Sequence, residues 1–187
     1  FCQGGSVLLT SSVGTTYLWS NGATTQAITV TTSGNYSVTV FDGNNCSATS
    51  SATTVTVNPL PTPTITASGP TTFCIGGSVT LTSSAASSYL WSDGSTTQAI
   101  TVSASGSFDV NVTDGNGCTA TSASTVVSAT TLPTVTITPS GATTFCQGGS
   151  VTLIASPSGT YLWSDGSTTQ TINVSSSGSF TVNVTDA

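Results

Sequence analysis

The stretch FCIGGSVTLT at residues 73–82 occurs three times in the chain with small changes, and it decides the fold. Its counterparts begin at Phe1 and Phe145, each 72 residues away. The tryptophans keep the same step, at Trp19, Trp91 and Trp163. Solenoid repeats have periods of about 20–50 residues, so this longer period predicts small tandem domains that each fold around their own core.

Three repeats are predicted in series, at residues 1–59, 60–132 and 133–187. The first lacks its opening edge strand and the third lacks its closing strand. Such ends indicate a cut through a longer array, which we favour, or ends that complete each other between chains by strand addition. The linkers at 58–61 and 130–133 contain proline, which predicts stiff spacers and an extended rod.

The complete middle repeat predicts an antiparallel β-sandwich. Its short apolar–polar alternations recur about every 8–12 residues, without helical periodicity. The predicted strands cover residues 61–67, 78–82, 89–91, 99–102, 108–113 and 124–128. The prolines of 61–67 place that strand at a sheet edge, since proline cannot donate to a ladder.

Composition excludes several classes of function. The chain contains no Lys, Arg or His, and its net charge is −6, so binding to nucleic acid has no electrostatic basis. No apolar run is long enough for membrane insertion. Without His or Lys, no Ser or Thr hydroxyl can be activated, so we expect no enzyme, no catalytic residue and no cofactor.

Metal binding is expected to be absent as well. The weak calcium candidates are Asp42 and Asp114, each in an Asp-Gly-Asn loop. One carboxylate per loop is fewer than dedicated calcium loops contain. Asp in such loops ordinarily caps its own backbone, so a structural turn is the favoured interpretation.

The five cysteines predict disulfides. Cys2 and Cys46 lie 44 residues apart, as do Cys74 and Cys118, so we predict these two bonds within repeats. The partner of Cys146 would then fall at position 190, beyond the segment. A zinc site is unfavoured because two cysteines per repeat without His cannot supply four ligands. Stable disulfides predict a location outside the cytosol.

Strand parity sorts the residues of the Tyr-Leu-Trp strands into two faces. The tryptophans fall on the inner face and are predicted core residues, although exposed rings could alternatively stack on sugars. The leucines fall on the outer face, at Leu18, Leu90 and Leu162. A leucine at the same place in every repeat suggests an apolar stripe for lateral packing between chains.

The motifs at residues 73–82, 89–102 (YLWSDGSTTQAITV) and 105–118 (SGSFDVNVTDGNGC) together resemble the immunoglobulin-like and PKD-like repeats of giant secreted surface proteins of Bacteroidota. The resemblance implies tandem Ig-like domains displayed on the cell surface after type IX export. Such repeats occur in adhesins, in gliding-motility filaments and as spacers. Unlike antibody domains, this chain has its second cysteine after the last alternating strand, beyond Asp114.

The expected function is that of a structural segment of an extracellular filament or giant adhesin, a stiff disulfide-stapled stalk. Its partners would be neighbouring repeats and other copies of itself. The alternative is a carbohydrate-binding or spacer module of a secreted polysaccharide-acting protein, with surface polysaccharide as partner. Both expectations rest on resemblance, because one fold can carry many functions.

Overall fold

The structure is a computed structural model that describes residues 1–185, and within that range it is all β, without a helix. Each repeat contains antiparallel ladders, so the predicted all-β, antiparallel fold class is confirmed. The chain divides into two compact units, Phe1–Ala129 and a second that begins at Thr130. The first unit contains the first two repeats, and the boundaries near 59 and 132 stay a prediction.

The first repeat forms short strands that supply one core. They are β1 (Val7–Thr10), β2 (Thr16–Trp19), β3 (Ala27–Val30), β4 (Gly34–Tyr36), β5 (Val38–Phe41), β6 (Ser47–Thr49) and β7 (Thr53–Val55). The sheets are β1-β3, β2-β5-β6 and β4-β7. Alternate residues of these strands point inward, and Trp19, Ile28, Val38 and Val55 meet in one cluster.

The second repeat is the most completely paired. Its strands are β8 (Ile65–Ala67), β9 (Thr72–Cys74), β10 (Val79–Ser83), β11 (Ser88–Trp91), β12 (Ala99–Val102), β13 (Gly106–Phe108), β14 (Val110–Thr113), β15 (Thr119–Thr121) and β16 (Thr125–Thr130). The sheets are β12-β10-β8, β11-β14-β15 and β13-β16-β9. As the prolines indicated, β8 lies at a sheet edge. The core joins these sheets through Leu81, Trp91, Val110 and Val127.

The third repeat repeats part of this pattern. Its strands in the described range are β17 (Thr136–Pro139), β18 (Val151–Ser156), β19 (Thr160–Trp163), β20 (Thr171–Val174) and β21 (Val182–Thr185). The sheets are β17-β18-β20 and β19-β21. Leu153, Trp163 and Ile172 belong to its core cluster. Each repeat therefore has its own core, built from equivalent residues.

One turn carries the chain between sheets in every repeat. In the second repeat the Gly94 N–H donates to the Trp91 carbonyl at 2.9 Å, and the Trp91 N–H donates to the Ser95 carbonyl at 2.8 Å. Gly94 has φ 87°, in the left-handed region that glycine adopts without steric cost. The Asp-Gly dipeptide thus turns the chain directly after the core tryptophan.

Candidate functional site

The tryptophans lie in the cores and are not a surface platform. They are 6%, 2% and 2% exposed at Trp19, Trp91 and Trp163 respectively. In the second repeat the indole Nε1–H donates to the Thr97 carbonyl at 2.8 Å, and the other two repeats contain the same bond. Burial of both the ring and its polar atom removes the surface that stacking on sugars requires.

The equivalent leucines lie on the outer faces. Leu18, Leu90 and Leu162 are 49%, 55% and 57% exposed. Polar residues stand opposite them across the ladders, as Leu90 faces Asn111. Each leucine is therefore a single apolar side chain in a polar surface. Lateral packing through these leucines stays a hypothesis.

The carboxylates of Asp42 and Asp114 are engaged by their own loops. The Asp114 Oδ1 accepts hydrogen bonds from the backbone N–H of Asn116 and of Cys118, both at 2.8 Å. Asp42 makes the equivalent bonds to its own loop. Residues 1–185 contain no cluster of three or more His, Cys, Asp or Glu that could hold a metal ion. The geometry is that of a structural turn.

We expect Gly117→Ala to destabilise the Asp114 loop by about 1 kcal/mol, because Gly117 has φ 80° and a Cβ is disfavoured there. Asn45, its counterpart in the first repeat, has φ 63°, and asparagine tolerates this conformation. Asn45→Gly is therefore the matched control and should change stability little. Urea unfolding measures both, and an equal loss in the two variants would contradict the argument.

The structure corrects the predicted disulfide pairing. Cys2 is bonded to Cys118, with an S–S distance of 2.05 Å and a Cα–Cα distance of 5.5 Å. The predicted bonds Cys2–Cys46 and Cys74–Cys118 are therefore wrong in this structure. The bond connects the first repeat with the second, inside the unit Phe1–Ala129.

The physical reason is that the two cysteines of a repeat lie at opposite ends of it. Cys2 lies beside Asn58, where the first repeat ends, through a parallel bridge. Cys46 closes the loop after β5, and Phe41 at the end of β5 pairs with Thr16 at the start of β2. That loop is thus at the far end of β1 from Cys2. A disulfide needs Cα atoms within about 7 Å, so only a neighbouring repeat can supply the partner.

The spacing of the cysteines in the sequence is compatible with two pairings, one within each repeat and one between consecutive repeats. The separation of 116 residues is one repeat longer than 44, so a fixed period satisfies both pairings equally. The remaining cysteines, Cys46, Cys74 and Cys146, are free and exposed. Cys46 and Cys74 are the counterparts of Cys118 and Cys2, displaced by one repeat.

The first repeat has an open slot, which we define as the outer edge of β1 with the cavity beside it. In the second repeat β8 covers this position, with Ala67 opposite Leu81 and Ile65 opposite Ser83. Among the described residues, β1 pairs only with β3. The cavity measures about 510 Å³ and is lined by residues that include Leu9, Ser11, Trp19, Val38 and Val40.

The burial of equivalent residues shows the effect of this missing strand. Leu81 is 0% exposed and Ser83 is 2% exposed in the second repeat. Their counterparts in the first repeat, Leu9 and Ser11, are only half-buried. The slot is therefore the space that β8 fills elsewhere.

The third repeat has a different opening. Within its described residues nothing corresponds to β16, and segment 178–180 is not a strand although its counterpart β13 is. A cavity of about 450 Å³ lies there, lined in part by Phe145, Leu153 and Phe180. The first and third repeats thus each contain a cavity where their strand pairing differs from that of the second repeat.

Residues 1–185 contain no helix with the length and apolar character that a membrane crossing requires.

Comparison with solved structures gives distant likenesses, two of which follow. No protein-family model matches the chain, and no curated protein matches it. The amphioxus IgVJ-C2 molecule is similar at 18% identity and TM-score 0.30, covering 68% of this chain and 98% of its own. The surface glycan-binding protein SGBP-B of Bacteroides ovatus, solved with a mixed-linkage heptasaccharide, is similar at 12% identity and TM-score 0.24. That match covers 99% of this chain and 55% of SGBP-B. At these scores neither likeness carries an argument about function.

Proposed function

We propose that the chain is a structural segment of an extracellular surface filament or giant adhesin, in which the repeats act as stiff spacers. The observation that supports this function is the Cys2–Cys118 bond between consecutive repeats. A disulfide that served only the stability of one domain would join residues of the same repeat. This bond instead adds a second covalent connection to the backbone linker.

Two covalent connections between the first and second repeats, the backbone linker and the disulfide, restrict hinge motion more than the linker alone. The backbone passes from the first to the second repeat after Asn58, and Cys2 lies directly beside that exit through its bridge to Asn58. The Gln3 N–H donates to the Asn58 carbonyl at 2.8 Å, which holds the cysteine in place. The prolines at 59 and 61 further limit the linker. The junction is thus built to resist bending.

The same bond supports an extracellular location, because disulfides persist in oxidising compartments and are rare in the cytosol. The chain is rich in Ser and Thr and contains no Lys or Arg, so trypsin-like proteases have no cleavage site in it. Both properties suit a spacer outside the cell. Type IX export and a Bacteroidota source remain part of the proposal on resemblance alone.

The alternative, a polysaccharide-binding module, has less support. Sugar rings are commonly held by exposed aromatic faces. Here the tryptophans are buried, and the Tyr89 hydroxyl is committed to the backbone of Ala86, donating to its carbonyl at 3.2 Å. No observation on the described residues favours this function over the spacer.

The mechanical role predicts how the chain extends when it is pulled from its two ends. With the disulfide formed, force passes from Cys2 to Cys118 and the residues between them stay unextended. The oxidised chain should therefore reach a contour length roughly 400 Å shorter than the reduced chain, at about 3.6 Å per residue. Single-molecule force spectroscopy with terminal handles measures this difference.

Cys74→Ser is the matched control, since Cys74 is free and its loss leaves the shortened contour unchanged. Cys118→Ser should give the long contour without reductant. If the oxidised and reduced chains extend equally, the two repeats are not held together under load and the spacer mechanism is overturned.

A further inference from the structure

We infer that the Cys2–Cys118 disulfide is a reductant-resistant connection whose cleavage is controlled by the Asp114 loop, residues 114–118. A thiol reductant cleaves the bond only after this loop has moved away from the junction with the first repeat. The inference rests on the same bond as the proposed spacer function, and it adds the condition under which that bond can be broken.

Burial distinguishes the Asp114 loop from the equivalent loop of the first repeat, residues 42–46. In both loops the N–H of the aspartate donates to the carbonyl of the cysteine, at 2.9 Å for Asp114 and at 3.0 Å for Asp42. Cys118 is nevertheless 0% exposed, whereas Cys46 is exposed. Asp114 is half-buried and Asp42 is exposed. Since the two loops share their internal hydrogen bonds, the difference in exposure comes from the junction that covers the Asp114 loop.

Reduction by a dithiol depends on which sulfur is attacked and on access to that sulfur. The reductant thiolate forms a mixed disulfide with the attacked sulfur, and the electron pair of the broken S–S bond leaves on the other sulfur. Cys118 offers no surface for attack, so the attacked atom is Sγ of the half-buried Cys2 and the leaving atom is Sγ of Cys118. The second thiol of the reductant then displaces Cys2. The dithiol is oxidised to a disulfide, and its two protons, exchanged through solvent, end on the two cysteine sulfurs.

The closed junction also disfavours the departure of Cys118 as a thiolate. Its negative charge would form at a buried position, where a charge without a partner is costly. The Asp114 carboxylate lies in the same loop, because its Oδ1 accepts the Cys118 N–H at 2.8 Å. The chain contains no Lys, Arg or His that could neutralise the thiolate. Opening of the loop exposes Cys118 to water, so opening is the step that permits reduction.

The test measures how fast dithiothreitol reduces the bond in the full chain. N-ethylmaleimide first blocks the free cysteines, and iodoacetamide then labels the released thiols of Cys2 and Cys118 for peptide mass mapping. The native chain should be reduced about a hundredfold more slowly than the chain unfolded in urea, since local opening must precede the reaction. The rate should rise with urea concentration before global unfolding begins, because opening exposes surface.

A matched pair of variants tests the role of the loop. Asp114→Ala removes the acceptor that the N–H groups of Asn116 and Cys118 share, and it should accelerate reduction of the native chain about tenfold. Asp42→Ala removes the same bonds from the loop of Cys46, which is outside the disulfide, and should leave the rate unchanged. Circular dichroism checks that both variants are folded. If Asp114→Ala does not fold, the urea dependence of the unsubstituted chain still decides the question.

Two results would overturn the inference. The first is reduction of the native chain as fast as that of the urea-unfolded chain, which would mean that the bond is open to the reductant. The second is a slow rate that neither urea below the unfolding transition nor Asp114→Ala changes, which would mean attack on the closed junction. Either result is compatible with a shortened contour under force. Equal contours with slow, urea-dependent reduction would instead contradict the spacer function alone, so the two failures are distinguishable.

Discussion

Replacing Cys2 with serine is expected to lower the free energy of unfolding of the unit Phe1–Ala129 by about 4 to 5 kcal/mol. The bond closes a loop with a sequence separation of 116 residues, and a loop of this size restricts the unfolded chain by about that free energy. Urea unfolding followed by tryptophan fluorescence measures the loss. Reduction of the unsubstituted chain should produce a similar loss.

Cys74→Ser is the matched control for this prediction. Cys74 occupies the position of Cys2 one repeat later but is free and exposed, so its replacement should leave stability within about 0.5 kcal/mol. Peptide mapping without reductant should find a fragment that joins Cys2 to Cys118. A fragment that joins Cys2 to Cys46 would contradict the pairing and restore the bond within the repeat.

Trp91→Ala is expected to destabilise the second repeat by about 3 to 5 kcal/mol, the range for removal of a large aromatic ring from a core. Trp91 is 2% exposed and belongs to the same cluster as Leu81 and Val110. The substitution also leaves the Thr97 carbonyl without its 2.8 Å donor. Thermal unfolding followed by circular dichroism measures the change.

The neighbouring Leu90 provides the control, because it is 55% exposed on the opposite face of the same strand. Leu90→Ala should cost less than about 0.5 kcal/mol. Trp91→Phe retains most of the ring and loses the indole donor, so we expect an intermediate cost of about 1 to 3 kcal/mol. Equal costs at positions 90 and 91 would mean that strand parity does not determine the core.

The fold was predictable because alternation and turn chemistry agree along the chain. The segments around Val79 and Ile100 alternate cleanly and became strands within a residue of their predicted bounds. The Asp93-Gly94 turn follows from glycine's access to positive φ. Residues 108–113, predicted as one strand, form β13 and β14 with Asp109 between them.

Other features depend on tertiary context and left no local pattern. Strands β9 and β15 are three residues each and exist because β16 and β14 pair with them. The disulfide was mispredicted because the period of 72 residues makes two pairings equivalent, and the spacing of Cys2 and Cys46 says nothing about which end of the sheet each occupies. The sequence predicted that the first repeat lacks its opening strand. It did not predict the cavity beside β1, because that cavity depends on how several strands pack.

The Cys2–Cys118 bond also bears on how such a chain can lengthen during evolution. The first two repeats each contain two cysteines at equivalent positions, and the Cys2–Cys118 bond joins the first cysteine of one repeat to the second cysteine of the next, so this pairing depends only on repeat phase. Duplication or loss of one whole period, begun at any point in the gene, preserves every partner in the interior. An insertion or deletion that is not a multiple of the period leaves two cysteines without partners at the position of the change. Selection on disulfide pairing would therefore keep the gene in whole-period increments while leaving its total length free to vary.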